Sequence, residues 1–475
     1  MADMLTPDLC IIGAGSGGLS VAAGAVQMGA SVVLIEGHKM GGDCLNYGCV
    51  PSKALIAAAK KAHIHRHSDA FGVKGHEPEI DYAAAMGHVE SVIAGIAPHD
   101  SVERFEGLGC TVIQDYARFT SPEEVEAGGT RIRARRFIVA TGSSPAVPPI
   151  SGLDGVPYLT NETLWKNREK PETLIVIGGG PIGMEMAQAH ARLGSKVIVL
   201  EAFKALGKDD PEITDVALRL LRAEGLDIRE DTMADRVEGT AGDITVHLKN
   251  GGSVTGSHLL VATGRIPNLD KLELDAGSIA FERHGISVDK ALRSTSNRKV
   301  YAIGDVAGGM QFTHLANYHA GLVVRNALFR LPVAVATNHI PRVTFIDPEI
   351  AQIGRTEAEV IELKGEGSYE VHRFPFAEND RARAEGQTEG LIKAIVCKKG
   401  PVHGVSIVGP QAGEIIQPWA LAISAGMKIK HVAGMVAPYP TLGEVNKRVA
   451  GAYYADRLFK SSMVKTAVRL LARFG

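Results

Sequence analysis

The chain is poor in aromatic residues, at 5% with only two tryptophans, and poor in cysteine, with five in 475 residues. Cys10, Cys44, Cys49, Cys110 and Cys397 are too few for a disulfide-built secreted scaffold, so a pair that matters points to catalysis rather than to cross-linking. Net charge is nearly absent too, and a formal value of −2 offers no field that would draw in nucleic acid. No apolar run approaches the ~20 residues of a membrane-spanning helix, and the residues ahead of Asp8 show no signal-peptide pattern. These absences set the expectation of a cytoplasmic protein with no nucleic-acid partner. What is present is a globular balance of 45% hydrophobic and 22% charged residues, in a length that suits about three domains.

The chain repeats itself. "DLCIIGAGSGGLSVAAGAVQMGASVVLIE" (8–36) and "TLIVIGGGPIGMEMAQAHARLGSKVIVLE" (173–201) both read as apolar strand, glycine turn, alanine-rich helix and second strand. Each opens its helix with G-x-G-x-x-G (Gly13, Gly15, Gly18; Gly178, Gly180, Gly183) and places an acid 23 residues after the first glycine, Glu36 and Glu201. Such glycines let the backbone approach a pyrophosphate at the positive helix end, and the acid accepts from ribose hydroxyls. Two Ala-Thr-Gly turns follow, in "RFIVATGSSP" (136–145) and "HLLVATGRIPN" (258–268), which contribute Thr141, Gly142 and Gly264. Two nucleotide-binding units nested in one chain are therefore expected. Glu201 would repel a 2′-phosphate, which favours NADH over NADPH at the second.

Between the repeats lies "GGDCLNYGCVPSKAL" (41–55), two cysteines with four residues between them. A helix expected over about 52–62 sets Cys49 just ahead of a positive N-terminus, which stabilises a thiolate. Cys44 can close a small disulfide loop with it; half of a zinc site and two buried thiols are the other readings, and no second pair with ligand spacing follows closely. The nearest candidate, "HIHRH" (63–67), reads as a solvated histidine-rich turn.

With the motif Gly41-Gly42-x-Cys44-x-Asn46-x-Gly48-Cys49-Val50-Pro51-Ser52-Lys53 added to the glycine loops, the chain resembles the flavin-dependent pyridine nucleotide-disulfide oxidoreductases. That group includes dihydrolipoamide dehydrogenase, glutathione reductase and mercuric reductase, and the resemblance covers residues 8–455. It implies an α/β fold of two nested Rossmann-like domains, for FAD and NAD, plus a C-terminal α+β dimerisation domain. The expected boundaries are 1–152 with 274–338 for FAD, 153–273 for NAD(P), and 339–475 for the interface. FAD would meet Gly13, Gly15, Gly18, Glu36, Gly42, Lys53, Thr141, Gly142 and, through "VYAIGDVAG" (300–308), Asp305 on its ribityl chain. NAD(H) would meet Gly178, Gly180, Gly183, Glu201 and Gly264. Lys53 and Glu185 match the family's charged pair beside the flavin, and "THLANYHA" (313–320) would start a helix aimed at the ring. The resemblance further implies a Cys44–Cys49 disulfide reduced by the flavin, with Cys49 nearer the ring as the charge-transfer thiolate and Cys44 meeting substrate.

One turn departs from the pattern. In dihydrolipoamide dehydrogenase and glutathione reductase it supplies, from the partner subunit, a histidine oriented by a glutamate; "APYPTLGE" (437–444) keeps Pro440, Thr441 and Glu444 but puts Tyr439 at the histidine position. Tyrosine, with a pKa near ~10 against ~6.5 for histidine, is ionised only about once in a thousand molecules at neutral pH. It is thus a poor base for oxidising dithiols and a serviceable hydrogen-bond or proton donor when a substrate is reduced. Mercuric reductase also has a tyrosine near this position, but it relies on a C-terminal cysteine pair, and no cysteine follows Cys397. Nor does a Cys-x-x-Cys metal-binding domain precede the flavin fold. Asp43, where relatives usually carry threonine, sets a carboxylate beside Cys44.

The end of the chain, "RLFKSSMVKTAVRLLARFG" (457–475), reads as a basic amphipathic helix that either packs on the dimer or lies on an anionic membrane from the cytoplasmic side. The favoured function is NAD(P)H oxidoreduction through FAD and the Cys44/Cys49 pair, delivering electrons to a small-molecule or protein disulfide, a metal ion or a quinone. Alternatives are true dihydrolipoamide dehydrogenase activity, mercuric-reductase-like metal reduction, and a membrane-associated redox-sensing module. A homodimer is expected, each active site completed by the other chain's Tyr439 and Glu444.

Overall fold

The computed structural model describes residues 4–474. Its first sheet is five parallel strands in the order Val300–Ala302, Arg136–Val139, Leu9–Ile12, Val32–Ile35, Thr111–Ile113. Its strands Leu9–Ile12 and Val32–Ile35 are continuous apolar runs with every residue buried, as strands covered on both faces must be. A second parallel sheet has the order Asp227–Arg229, Lys196–Leu200, Thr173–Ile177, His258–Val261. The nesting is visible in the connectivity, because strands from before and after the second sheet share the first. The chain crosses out along Ser143–Pro145 and back along Arg265–Pro267, and these two segments pair antiparallel with Ser144 opposite Ile266.

Residues beyond about 340 form a five-stranded antiparallel sheet, Arg342–Thr344, Glu349–Gly354, Val402–Gly409, Leu391–Cys397, Tyr369–Pro375. Its core holds Trp419, Val445 and Val449 against Ile392, Ala394 and Ile407. The fold is therefore the expected α/β pair of Rossmann-like units with an α+β C-terminal domain.

Two local expectations need correction. The cysteine helix runs Cys49–Arg66, a turn longer at each end than 52–62, because its alanine-rich middle propagates freely and no glycine interrupts it before Gly72. "HIHRH" is thus the last helical turn rather than a loop, with the His63 and His67 rings stacked 4.2 Å apart. Among the described residues no group of three or more His, Cys, Asp or Glu could hold a metal.

Candidate active site

The two glycine loops are superimposable in their constraints. Gly13 and Gly178 sit at φ +105° and +113°, and a Cβ on either would lie 2.4 Å from a carbonyl oxygen of the adjoining strand's exit, Ala140 and Ala262. Only glycine fits such a turn. The middle glycines differ: a Cβ on Gly15 would come no nearer than 3.8 Å to anything, and one on Gly180 would meet nothing within 4 Å. Each loop therefore leaves open space at the N-terminus of its helix, Ser16–Gln27 or Pro181–Arg192, where a pyrophosphate fits. The acids occupy equivalent places. Glu36 accepts from the Ala14 and His38 amides at 2.6 and 2.8 Å, and Glu201 from Gly179 and Phe203 at 2.7 and 2.9 Å. The Ala-Thr-Gly turns are stitched across the crossing, Thr141 donating to the Asn268 carbonyl and Thr263 to that of Ala146. These residues suit two nucleotide cofactors.

Gly42 ties the first loop to the cysteines, since a Cβ there would lie 2.6 Å from the Gly15 Cα. Cys44 lies on the short helix Gly42–Asn46 and Cys49 is the first residue of the next, both as free thiols. The Asp43 carbonyl accepts from the Tyr47 and Gly48 amides, closing the turn between the two sulfurs. Cys49 has its pKa pulled down to about 6, first by the Cys44 S–H, then against burial by the Thr313 hydroxyl and Lys53. Thr313 opens the helix Thr313–Phe329, the helix start that the resemblance implies, and its Oγ1 lies 3.3 Å from the Cys49 sulfur. Cys44 is pushed strongly the other way, chiefly by Cys49. The dithiol is thereby asymmetric, with Cys49 the sulfur that ionises more readily. Cys44 also borders a cavity of about 350 Å³ lined by Ser16, Ser20, Val50, Arg104, Phe105 and Asn317.

Lys53 Nζ donates to Glu185 at 2.8 Å, and the carboxylate is buried. Phe345, which the sequence did not single out, completes this pair: its amide donates to Glu185 at 2.8 Å and its ring lies 4.4 Å under Lys53. Asp305 accepts from Ser143, and burial raises its pKa.

Tyr439 is 69% exposed, and its hydroxyl donates to Asp380 at 3.0 Å. Glu444 instead accepts from Arg448 at 2.9 Å. Within one chain the tyrosine's carboxylate partner is thus Asp380, a residue 59 positions upstream with no spacing signal to reveal it. Asn379 holds the two segments together, donating to the Thr441 carbonyl and capping the helix Asp380–Ala384. Asp380 is the main cause of a raised phenol pKa.

Residues 7–320 match the family described as pyridine nucleotide-disulphide oxidoreductase, and residues 340–450 match its dimerisation domain. This chain belongs to that family. Among its relatives, mercuric reductase of Lysinibacillus sphaericus is 34% identical over 456 residues, 94% of this chain and 83% of that one. Dihydrolipoyl dehydrogenase of Thermus scotoductus is 35% identical over 479 residues, 96% and 99% of the two chains. Among solved structures, the Cu(II) complex of HOCl-induced flavoprotein disulfide reductase RclA from Escherichia coli matches with a TM-score of 0.83 at 28% identity, covering 93% of this chain and 99% of that one.

As a pyridine nucleotide-disulphide oxidoreductase the chain is an enzyme that uses FAD and a pyridine nucleotide, and its C-terminal domain is the family's dimerising one. No helix among the described residues is long and apolar enough to cross a membrane.

Proposed function

We propose that this oxidoreductase works mainly as an NADH-dependent reductase, passing electrons through the Cys44/Cys49 pair to a disulfide, metal ion or quinone rather than withdrawing them from dithiols. The Tyr439–Asp380 hydrogen bond carries the direction, because a carboxylate beside a phenol holds the proton on it. A protonated phenol cannot take the proton that dithiol oxidation releases. The domain boundaries 152/153, 273/274 and 338/339 belong to the same reading.

FAD, when bound, supplies the two-electron relay between nicotinamide and the cysteines. The Cys44–Cys49 disulfide takes up two electrons and one proton; its S–S bond breaks, Cys44 keeps the proton and Cys49 remains a thiolate held by Cys44, Thr313 and Lys53. With a disulfide acceptor, the Cys44 sulfur loses its proton and attacks one acceptor sulfur, and a thiolate departs. Cys49 then attacks the Cys44 sulfur, restores their bond and expels the second thiolate. The partner subunit's Tyr439 turns its one hydroxyl proton from Asp380 to the leaving sulfur as a hydrogen bond, and solvent supplies the protons.

The preference for NADH rests on Glu201 and on the carboxylates that already engage three cations of this unit. Lys204, Arg229 and Arg222 are engaged by Asp231, Asp227 and Glu230 at 2.8, 2.7 and 2.8 Å, so a 2′-phosphate would meet net negative charge. A panel of lipoamide, an aryl disulfide, mercuric ion, cupric ion and a quinone tests both claims. At least one acceptor is expected to turn over at least about tenfold faster with NADH than with NADPH, with Tyr439→Phe several-fold slower. Dihydrolipoamide oxidation by NAD that outpaces every reduction in the panel, with Tyr439→Phe neutral, would sink the reading.

A second reading concerns place. The helix Ser462–Leu471 buries none of its residues, and Met463, Val468, Leu470 and Leu471 are exposed on one face while Lys465 and Arg469 lie on the other. Such a helix suits the surface of an anionic membrane, where each cation contributes about 1 kcal/mol. Vesicles containing phosphatidylserine are expected to sediment the full chain and not a form lacking residues 461–475, and neutral vesicles to sediment neither. Equal sedimentation of both forms, or a loss of dimer in the shortened one, assigns the helix to packing instead.

A further inference from the structure

Asp43 is the residue at which the cysteine motif departs from its family, and its surroundings give the departure a role. One oxygen is ion-paired with Arg265, 2.9 Å from its Nη2, and accepts a hydrogen bond from Asn161 at 3.2 Å. The other faces Gly48, where a Cβ would lie 2.7 Å away, so the carboxylate is wedged against the backbone between the two cysteines. Arg265 has only 11% of its side chain exposed and is fully committed. Its Nε donates to the Ser143 hydroxyl at 2.7 Å, its Nη2 to the Ser143 carbonyl at 2.6 Å, and its Nε lies 3.8 Å from Asp305. One guanidinium thus joins the cysteine loop, the return and outward strands of the crossing, and the flavin-motif carboxylate. A planar fork with several fixed donors can do this and a lysine cannot.

We propose that Asp43 and Arg265 are a positioning pair that anchors the redox-active loop to the crossing between the two nucleotide units and balances the carboxylate facing Cys49. The inference rests on Cys44 and Cys49 being the redox pair. Thr313 Oγ1 lies 3.3 Å from the Cys49 sulfur, Asp43 packs on Gly48 just ahead of it, and the Cys44 thiol and the charges of Lys53 and Asp43 act on the same sulfur. Of these only Asp43 disfavours the thiolate by its charge, and Arg265 is the cation that offsets it. Removing either member should therefore move Cys49 in opposite senses, and removing both should nearly restore it.

The test is iodoacetamide alkylation of the FAD-loaded protein after chemical reduction, followed across about pH 5 to 8 with mass spectrometry assigning adducts to Cys44 or Cys49. On the acid limb, where rate follows thiolate fraction, Arg265→Met is expected to slow Cys49 alkylation roughly threefold to tenfold. Asp43→Asn should speed it by a similar factor, and the double variant should return to within about twofold of the native rate. A loop that had merely loosened would shift both single variants the same way. That outcome, or no change in either, overturns the proposal. Should Arg265→Met fold poorly, Asp43→Asn decides alone, since it keeps the side chain's shape: an unchanged or slower Cys49 ends the argument. Wild-type thiols that alkylate after chemical reduction but not after NADH would instead refute the redox-pair reading, and the comparison of variants would stand apart from it.

Discussion

Cys44→Ser is expected to lower NADH-driven disulfide reduction by at least about a thousandfold while leaving reduction of the bound flavin by NADH within a few-fold of native. Cys44 is the thiol that borders the 350 Å³ cavity, whereas Cys49 is held between Thr313 and Lys53. Serine preserves the short helix Gly42–Asn46 but has no sulfur to form a mixed disulfide with an acceptor. Cys49 also loses the S–H donor that contributes most to its low pKa, so its alkylation on the acid limb should slow. Stopped-flow reduction of the bound flavin by NADH separates the two halves of the reaction. Disulfide turnover within tenfold of native would mean that electrons leave by a route other than Cys44.

The second large effect concerns stability. Lys393→Met is expected to cost about 3–5 kcal/mol at neutral pH, the range for removing one partner from a buried charge cluster. Lys393 lies on the C-terminal strand Leu391–Cys397, is 4% exposed and reaches three carboxylates: Glu357 at 2.8 Å, Asp210 at 2.9 Å and Glu212 at 3.1 Å. Asp210 is 1% exposed and caps the helix Pro211–Ala223 beside the second sheet, so this one ammonium fastens the nicotinamide half to the C-terminal domain. Methionine would leave Asp210 buried without its cation. The carboxyl of Glu212 is held below its usual range by Arg373 and then Lys393, and that of Glu357 is held down by Lys393 despite burial. Stability from depressed carboxyl pKa values is present above the unfolded value near ~4.3 and is lost as pH falls through the lower folded ones. The variant has lost the share that Lys393 supplies, so the gap from native should hold from pH 7 down to about pH 5 and narrow below ~4.3, a change read by comparing about pH 7 with about pH 3. Thermal release of FAD, followed by its fluorescence at both pH values, measures it. A gap that is constant or widens on acidification would mean that the cluster does not act as an ion pair.

Much of the electron path could be read along the chain. A glycine loop, the acid at its second strand and a cysteine at a helix start are written in contiguous segments, because strand, turn and helix must succeed one another there for purely local steric reasons. Asp305 and the helix start at 313 were legible through strings that resemble the family's. Lys53 and Glu185 were paired only through resemblance, and the 2.8 Å contact needs the cysteine helix to pack against the second unit's first helix.

The partners that tune these groups were not legible. Phe345, Asp380 and Arg265 act on Glu185, Tyr439 and Asp43 from 160, 59 and 222 positions away, and no periodicity links such positions in a single sequence. The sequence by itself determined the reaction class and the tyrosine in place of histidine, since both are legible in local motifs through the family those motifs resemble. Only the tertiary structure decided that Asp380 rather than Glu444 holds the phenol and that Asp43 is balanced rather than bare, because a charge is defined by what surrounds it and folding alone brings those surroundings together.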